Sequence, residues 1–125
     1  MIKKFTTIIL SSLLVTLLGM PMVSAWATSA STSLLYGESY STSGEVGLSK
    51  KARFSATNTS AQNYIDVDCY AAYYTSLYTN EYEFSLPKGK TKSYDEPQDI
   101  ISKYKIRLCT SGACKETGNG TVKIL

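Results

Sequence analysis

The chain has 125 residues, with 13 Lys and Arg against 10 Asp and Glu and a formal net charge of +3. It contains no histidine, so a Ser-His-Asp or Cys-His nucleophilic site cannot be built in the usual way and the commonest metal ligand is missing. We therefore predict a protein that is not an enzyme and that uses no cofactor and no metal.

Residues 1–25 have the layout of a secretory signal peptide. A short positive end is followed by an uncharged, mostly apolar stretch over residues 5–20, and small side chains lead up to Ala25. This order predicts cleavage between Ala25 and Trp26 and a secreted, extracellular bacterial protein. The alternative is an uncleaved membrane anchor, but the apolar stretch is shorter than the ~20 residues that span a bilayer.

Cleavage changes the charge balance of the working protein. Removing Lys3 and Lys4 from the 13 basic residues leaves 11 against 10 acidic residues, a net charge of +1. Nucleic-acid binding needs a clustered basic excess, so we predict no nucleic-acid partner. We also expect no stable membrane span after cleavage, and one domain in the remaining ~100 residues.

The remaining chain alternates short apolar and polar runs with turn residues, which is typical of strands. Residues 28–33 are small and polar, so residues 26–32 are predicted as a flexible segment that leads into a domain over residues 33–125. Strands are predicted over residues 33–40, 45–57 and 64–77. In the third of these, the residues predicted to face inward are Ile65, Val67, Cys69, Ala71 and Tyr73, and those predicted to face solvent include Tyr64, Asp66, Asp68, Tyr70 and Tyr74.

The second half of the chain continues this pattern. Pro87 and Gly89 have the positions that favour a type I turn, which implies a hairpin between two strands. Residues 95–99 contain Pro97 and predict a loop. The strands of this half are predicted over residues 79–86, 90–94, 102–110 and 121–125. Seven short strands predict a small antiparallel β-sandwich, and an immunoglobulin-like layout fits that count.

The three cysteines raise the question of a disulfide, which export permits. Cys109 and Cys114 flank a four-residue loop, and two strands that meet across such a loop bring opposed Cβ atoms close to bridging distance. Cys69 lies on the inward face of its strand, where a reduced thiol behaves as a small apolar side chain. We predict a Cys109–Cys114 disulfide and a free Cys69 thiol; the rival pairing joins Cys69 to one of the other two.

The tyrosines of the third strand are the candidate binding residues. Tyr64, Tyr70 and Tyr74 alternate with Asp66 and Asp68 on the face predicted to be wet. Aromatic rings beside carboxylates suit a sugar, and tyrosine is enriched at protein interfaces. The structural alternative is cross-strand pairing, in which the two aspartates face basic residues of neighbouring strands.

These observations predict a small, secreted, non-enzymatic binding module for a cell-surface glycan or a protein partner. The alternative is a bacteriocin-like secreted toxin that acts on a membrane or cell envelope. A glycosidase is a third interpretation, because Asp66 and Asp68 have a suitable separation, but a flat strand face lacks the necessary cleft. The oligomeric state stays open.

Overall fold

A computed structural model describes residues 26–125. The predicted signal peptide, residues 1–25, lies outside the described residues. The described part is all-β, and its strands are β1 (Ser29–Leu34), β2 (Tyr40–Thr42), β3 (Val46–Asn58), β4 (Ile65–Tyr73), β5 (Thr79–Leu86), β6 (Thr91–Thr110) and β7 (Gly118–Ile124). No long apolar helix of the kind that crosses a bilayer occurs over residues 26–125.

The strands form one antiparallel sheet in the order β1-β7-β3-β6-β4-β5, with β2 added beside β6. Strand β6 has 20 residues and belongs to both halves of the sheet. Its first part pairs with β3, and its last part, from Ser102, pairs with β4. The register of β3 against β6 shifts between Val46 and Lys51, and such bulges bend a strand. We call β1, β7, β3 and the start of β6 the first layer, and β2, β4, β5 and the end of β6 the second layer.

The two layers share one core, built from the alternate residues that face inward. Phe54 of β3 meets Tyr104 of β6 edge to face, with ring centroids 6.2 Å apart. Gly120 of β7 faces the second layer, where a Cβ atom would lie 3.1 Å from the Leu108 side chain and 3.2 Å from that of Ile106. The fold is therefore β-sandwich-like, whereas the immunoglobulin-like layout stays a prediction.

The start of the domain differs from the sequence prediction. Strand β1 begins at Ser29, inside residues 26–32, and pairs with β7 as the edge of the first layer. The strand predicted over residues 33–40 is divided, because a turn at 36–37 separates β1 from β2. The segment predicted to be flexible therefore contributes an ordered edge strand.

The region of Pro97 also differs. Residues 95–99, predicted as a loop, lie within β6, and Pro97 is the cross-strand partner of Lys51. Over this stretch β6 pairs only with β3, so its other edge is open. An open edge tolerates a residue without a backbone N–H. The two predicted strands 90–94 and 102–110 are consequently one strand.

Candidate functional site

The predicted inward face of β4 is confirmed for Ile65, Val67, Cys69 and Ala71, which are all buried. Of the tyrosines predicted to bind, Tyr70 lies within β4 and the other two lie at its ends. Tyr64 precedes β4 and Tyr74 follows it, so about 30 Å of extended chain separates them. Tyr74 packs edge-on against Trp26, with ring centroids 5.9 Å apart. These tyrosines do not form a single contact surface.

Asp68 is buried, contrary to the prediction that it faces solvent. It lies opposite Arg107, whose Nε donates to Asp68 Oδ2 at 3.2 Å. Asn80 Nδ2 donates to the other carboxylate oxygen at 3.3 Å. The neighbouring Asp66 accepts a hydrogen bond from Ser85 Oγ at 2.8 Å. Both carboxylates are therefore engaged by adjacent strands, but only Asp68 faces a basic residue as the structural alternative predicts, since the partner of Asp66 is a serine.

Basic side chains cover the aromatic rings on the outer face of the second layer. Lys105 Nζ lies 4.3 Å from the ring centroid of Tyr78, and Arg107 Cζ lies 5.2 Å from that of Tyr70. The Tyr78 hydroxyl donates to Glu45 Oε2 at 2.7 Å, and burial together with this bond raises the pKa of Tyr78. Rings held by cation–π contacts offer less open surface for stacking on a sugar.

The outer face of the first layer is rich in hydroxyl groups. Pairs of them bond across neighbouring strands: Ser31 with Thr121, Ser55 with Ser93, and Thr57 with Thr91. Such pairs are an ordinary means of stabilising a sheet. Many polar groups of both outer faces are therefore engaged with one another.

The predicted disulfide is absent: Cys69, Cys109 and Cys114 are separate thiols in the described structure. Strand β7 pairs with β1 and β3 rather than with β6, so Cys109 and Cys114 do not lie on facing strands. Cys109 Sγ lies 3.7 Å from Asp68 Oδ2, and Cys114 Sγ lies 3.5 Å from Ser39 Oγ. The hairpin on which the pairing depended is not formed.

A cleft of about 490 Å³ lies where the connection between β4 and β5 faces the middle of β6. Its apolar wall includes Ala71, Ala72 and Pro97, and the acidic residues of its lining are Glu81, Glu96 and Asp99. No lysine or arginine lines it. We call this feature the acidic cleft. It is a concave feature in which several polar groups converge, as ligand sites require.

Glu96 is the unusual residue of the acidic cleft, because it is only 6% exposed. The Tyr94 hydroxyl donates to Glu96 Oε1 at 2.7 Å, and Gln98 Nε2 donates to Oε2 at 2.6 Å. Within residues 26–125 no lysine or arginine forms a salt bridge with it. A buried carboxylate without a cationic partner is costly, and departures of this kind concentrate at functional sites.

The negative charge of Glu96 affects its neighbours. Burial and then the hydrogen bond to Glu96 raise the pKa of Tyr94 to about 12. Burial and then the charge of Glu96 raise the pKa of Tyr104 to about 12. Tyr94 also stacks on Tyr82 of β5, with ring centroids 4.0 Å apart, so the carboxylate lies beside aromatic groups that join the layers.

Exposed apolar side chains lie in the lining of the acidic cleft and directly after it along β6. Tyr73 and Leu77 line it and are 50% and 91% exposed. Ile100 and Ile101 follow Asp99 along β6 and are 46% and 49% exposed. We call Tyr73, Leu77, Ile100 and Ile101 the apolar rim. Exposed apolar residues grouped near a cleft are typical of interaction surfaces in soluble proteins.

Sequence reasoning missed the acidic cleft because residues 95–99 were predicted as a loop. Had they been read as a strand, Glu96 would have shared the face of Tyr94, two residues earlier. A glutamate among inward-facing residues would have been the signal.

No cluster of three or more His, Cys, Asp or Glu side chains suited to a metal ion occurs in the part of the chain that the structure describes.

A scan against protein-family models, a search of curated proteins and a search of solved structures each find no match to this chain.

Proposed function

We propose that this chain is a small, secreted, non-enzymatic binding module that binds a cell-surface protein through the apolar rim and the acidic cleft. The observation that carries the proposal is that the exposed apolar side chains of Tyr73 and Leu77 line the same cleft as the buried carboxylate of Glu96. The outer faces of both layers, in contrast, have polar groups that bond or pack with one another. A site that combines exposed apolar residues with a concave polar centre suits a partner that buries both.

A protein partner fits this surface better than a glycan. The rim residues Leu77, Ile100 and Ile101 are aliphatic, and Tyr73 is the exposed aromatic residue of the cleft lining. A sugar-binding site would use ring faces that are open for stacking, whereas aliphatic patches are typical of protein interfaces.

Secretion is the part of the proposal that rests on the sequence. The signal-peptide pattern predicts that Trp26 becomes the first residue, and Trp26 packs against Tyr74 and over Gly47. The Ala27 carbonyl also accepts a hydrogen bond from the Gly47 N–H at 3.1 Å. A chain that begins at Trp26 therefore keeps these contacts. For the architecture of such a module we propose two layers in an immunoglobulin-like layout that share strand β6.

The test is binding of a labelled 26–125 chain to intact cells of the producing organism and of related bacteria. We expect Leu77→Asp to reduce binding at least tenfold, because it places a charge in the apolar rim. Leu35→Asp is the matched control, since Leu35 is also exposed but lies beyond β1, away from the cleft. Equal binding by both variants and the unchanged chain would contradict the proposal.

Two further arms separate the ligand classes. Treating the cells with protease should abolish binding to a protein partner and leave binding to a glycan intact. Dye release from lipid vesicles tests the toxin interpretation, for which we expect no release. Binding that survives protease, or release of dye, would replace the protein-binding proposal with one of these alternatives.

A further inference from the structure

Resting on the proposed function, we infer that the acidic cleft takes a basic side chain of the partner protein, with the ammonium or guanidinium group on the carboxylate of Glu96. The occupant is a lysine or arginine in an extended segment that also carries apolar residues for the rim.

The charge of the cleft lining favours a cation. Glu96, Glu81 and Asp99 line the cleft and no basic residue does, so the lining attracts cations and repels anions. Coulombic attraction is stronger where the dielectric constant is low, and Glu96 is the buried member of the three. A cation that reaches Glu96 supplies the cationic partner that residues 26–125 do not provide.

The carboxylate of Glu96 can accept further hydrogen bonds from a ligand. An ionised carboxylate accepts about four hydrogen bonds. Glu96 receives one from the Tyr94 hydroxyl and one from Gln98 Nε2, one on each oxygen. These donors fix the orientation of the carboxylate and leave about half of its acceptor capacity for a ligand. Ammonium and guanidinium groups have several N–H donors and form short, charge-assisted bonds to such oxygens.

The apolar part of the cleft suits the methylene stem of a long basic side chain. Ala71, Ala72 and Pro97 give the cleft a wall without charge. Long basic side chains lay their methylene stems along apolar surfaces and keep the charged end on a polar group. The apolar rim then accommodates the residues on either side of the basic one. A protein segment satisfies all three parts of the cleft, whereas a small free amine would leave the rim uncovered.

The experiment follows amide resonances of the 26–125 chain by NMR during titration with short peptides. The probes are acetyl-Leu-Lys-Leu-amide, its norleucine counterpart acetyl-Leu-Nle-Leu-amide, which lacks the charge, and acetyl-Gly-Lys-Gly-amide, which lacks the apolar flanks. We expect the Leu-Lys-Leu peptide to shift the Gln98 side-chain amide and the backbone amides of Ala71 and Ala72. Both altered peptides should bind at least tenfold more weakly.

Variants localise the effect. Glu96→Gln keeps the size of the side chain and removes its charge, and we expect at least tenfold weaker binding of the Leu-Lys-Leu peptide. Asp95→Asn is the matched control on the same strand, because Asp95 pairs with Arg53 on the outer face; its binding should stay within twofold of the unchanged chain. The comparison of the lysine and norleucine peptides needs no substitution, so it decides the question even if Glu96→Gln does not fold.

Equal affinity for the lysine and norleucine peptides, or no shift in the cleft with any probe, would overturn the inference. The proposed function fails separately, when Leu77→Asp leaves cell binding unchanged. If the lysine and norleucine peptides bind equally well while Leu77→Asp abolishes cell binding, the cleft does not take a basic side chain, but the proposed binding function stands.

Discussion

Asp68 on β4 and Arg107 on β6 are direct cross-strand partners, and theirs is the ion pair with a buried carboxylate among residues 26–125. Arg107 Nη2 lies 3.2 Å from Asp68 Oδ2, and the aspartate side chain is only 7% exposed. Arg53 and Asp95 form a pair with a shorter separation of 2.7 Å, but both side chains are largely in solvent. Burial, rather than distance, distinguishes the two pairs.

Removing the arginine from the buried pair should destabilise the protein. Arg107→Ala removes the positive charge beside the Asp68 carboxylate. Its remaining side-chain partners are the uncharged groups of Asn80, Tyr70 and Cys109. An incompletely compensated buried group costs about 1–3 kcal/mol. We expect the free energy of unfolding to fall by about 2 kcal/mol, measured by urea denaturation at pH 7.

Arg53→Ala is the control for this prediction. It deletes the same type of side chain from a solvated pair, and such pairs contribute little to stability. We expect its urea midpoint to stay close to that of the unchanged protein. If the two alanine variants lose equal stability, burial of Asp68 is not the reason for the effect.

Alkaline pH should also lower the free energy of unfolding, because two tyrosines near Glu96 have raised pKa values. In the folded protein the pKa values of Tyr94 and Tyr104 are both raised to about 12, whereas a tyrosine in the unfolded chain loses its proton near 10. Above about pH 10 the folded state therefore holds more protons than the unfolded state. The stabilising contribution is complete below that pH and is lost as the pH rises from about 10 to 12.

The measurement is the urea midpoint at pH 9, 10 and 11. Tyr94→Phe removes one of the two hydroxyls, so the fall in the midpoint over this range should become smaller. Tyr36→Phe is the control, because Tyr36 is exposed in the turn after β1. A fall of the same size in all three proteins would show that other groups, such as lysines, cause the alkaline effect.

The faces of the strands could be predicted from the sequence because side chains alternate with a period of two. Residues 65–71 and 102–108 follow that period closely, and their apolar members are buried. Tyr73 ends β4 and breaks the rule: it is exposed, because the core does not extend that far. Alternation predicts the direction of a side chain but not where a core stops.

Asp68 and Glu96 show what alternation could not predict. Asp68 points outward as expected, yet it is buried beneath Arg107 and Tyr70, whose long side chains cover it. Glu96 points inward, but this could not be predicted because Pro97 beside it indicates a loop over residues 95–99 rather than a strand. The open edge of β6 that accommodates this proline depends on which strands pair, and pairing between distant segments is not readable from local pattern.

The three thiols are separate in the structure, whereas the sequence pattern predicts a disulfide, and the two arrangements lead to different reactivity. Cys69 is fully buried, and burial with the charges of Asp68 and Glu96 raises its pKa. Cys109 is half-buried, and burial with the charge of Asp68 raises its pKa too. A thiolate is the reactive form, so both cysteines should react slowly with an aromatic disulfide reagent, and Cys114 should react first.

We expect three separable rates at pH 8: a fast reaction at Cys114, a slower one at Cys109, and reaction at Cys69 only after urea unfolds the chain. Cys114→Ser and Cys109→Ser assign the first two rates, since each variant loses one of them. A Cys109–Cys114 disulfide would instead remove both native-state reactions and lower the mass by two hydrogens. That result would contradict the separation of the two thiols and support the pairing that the loop spacing predicts, since the connection between β6 and β7 would then have to close on itself.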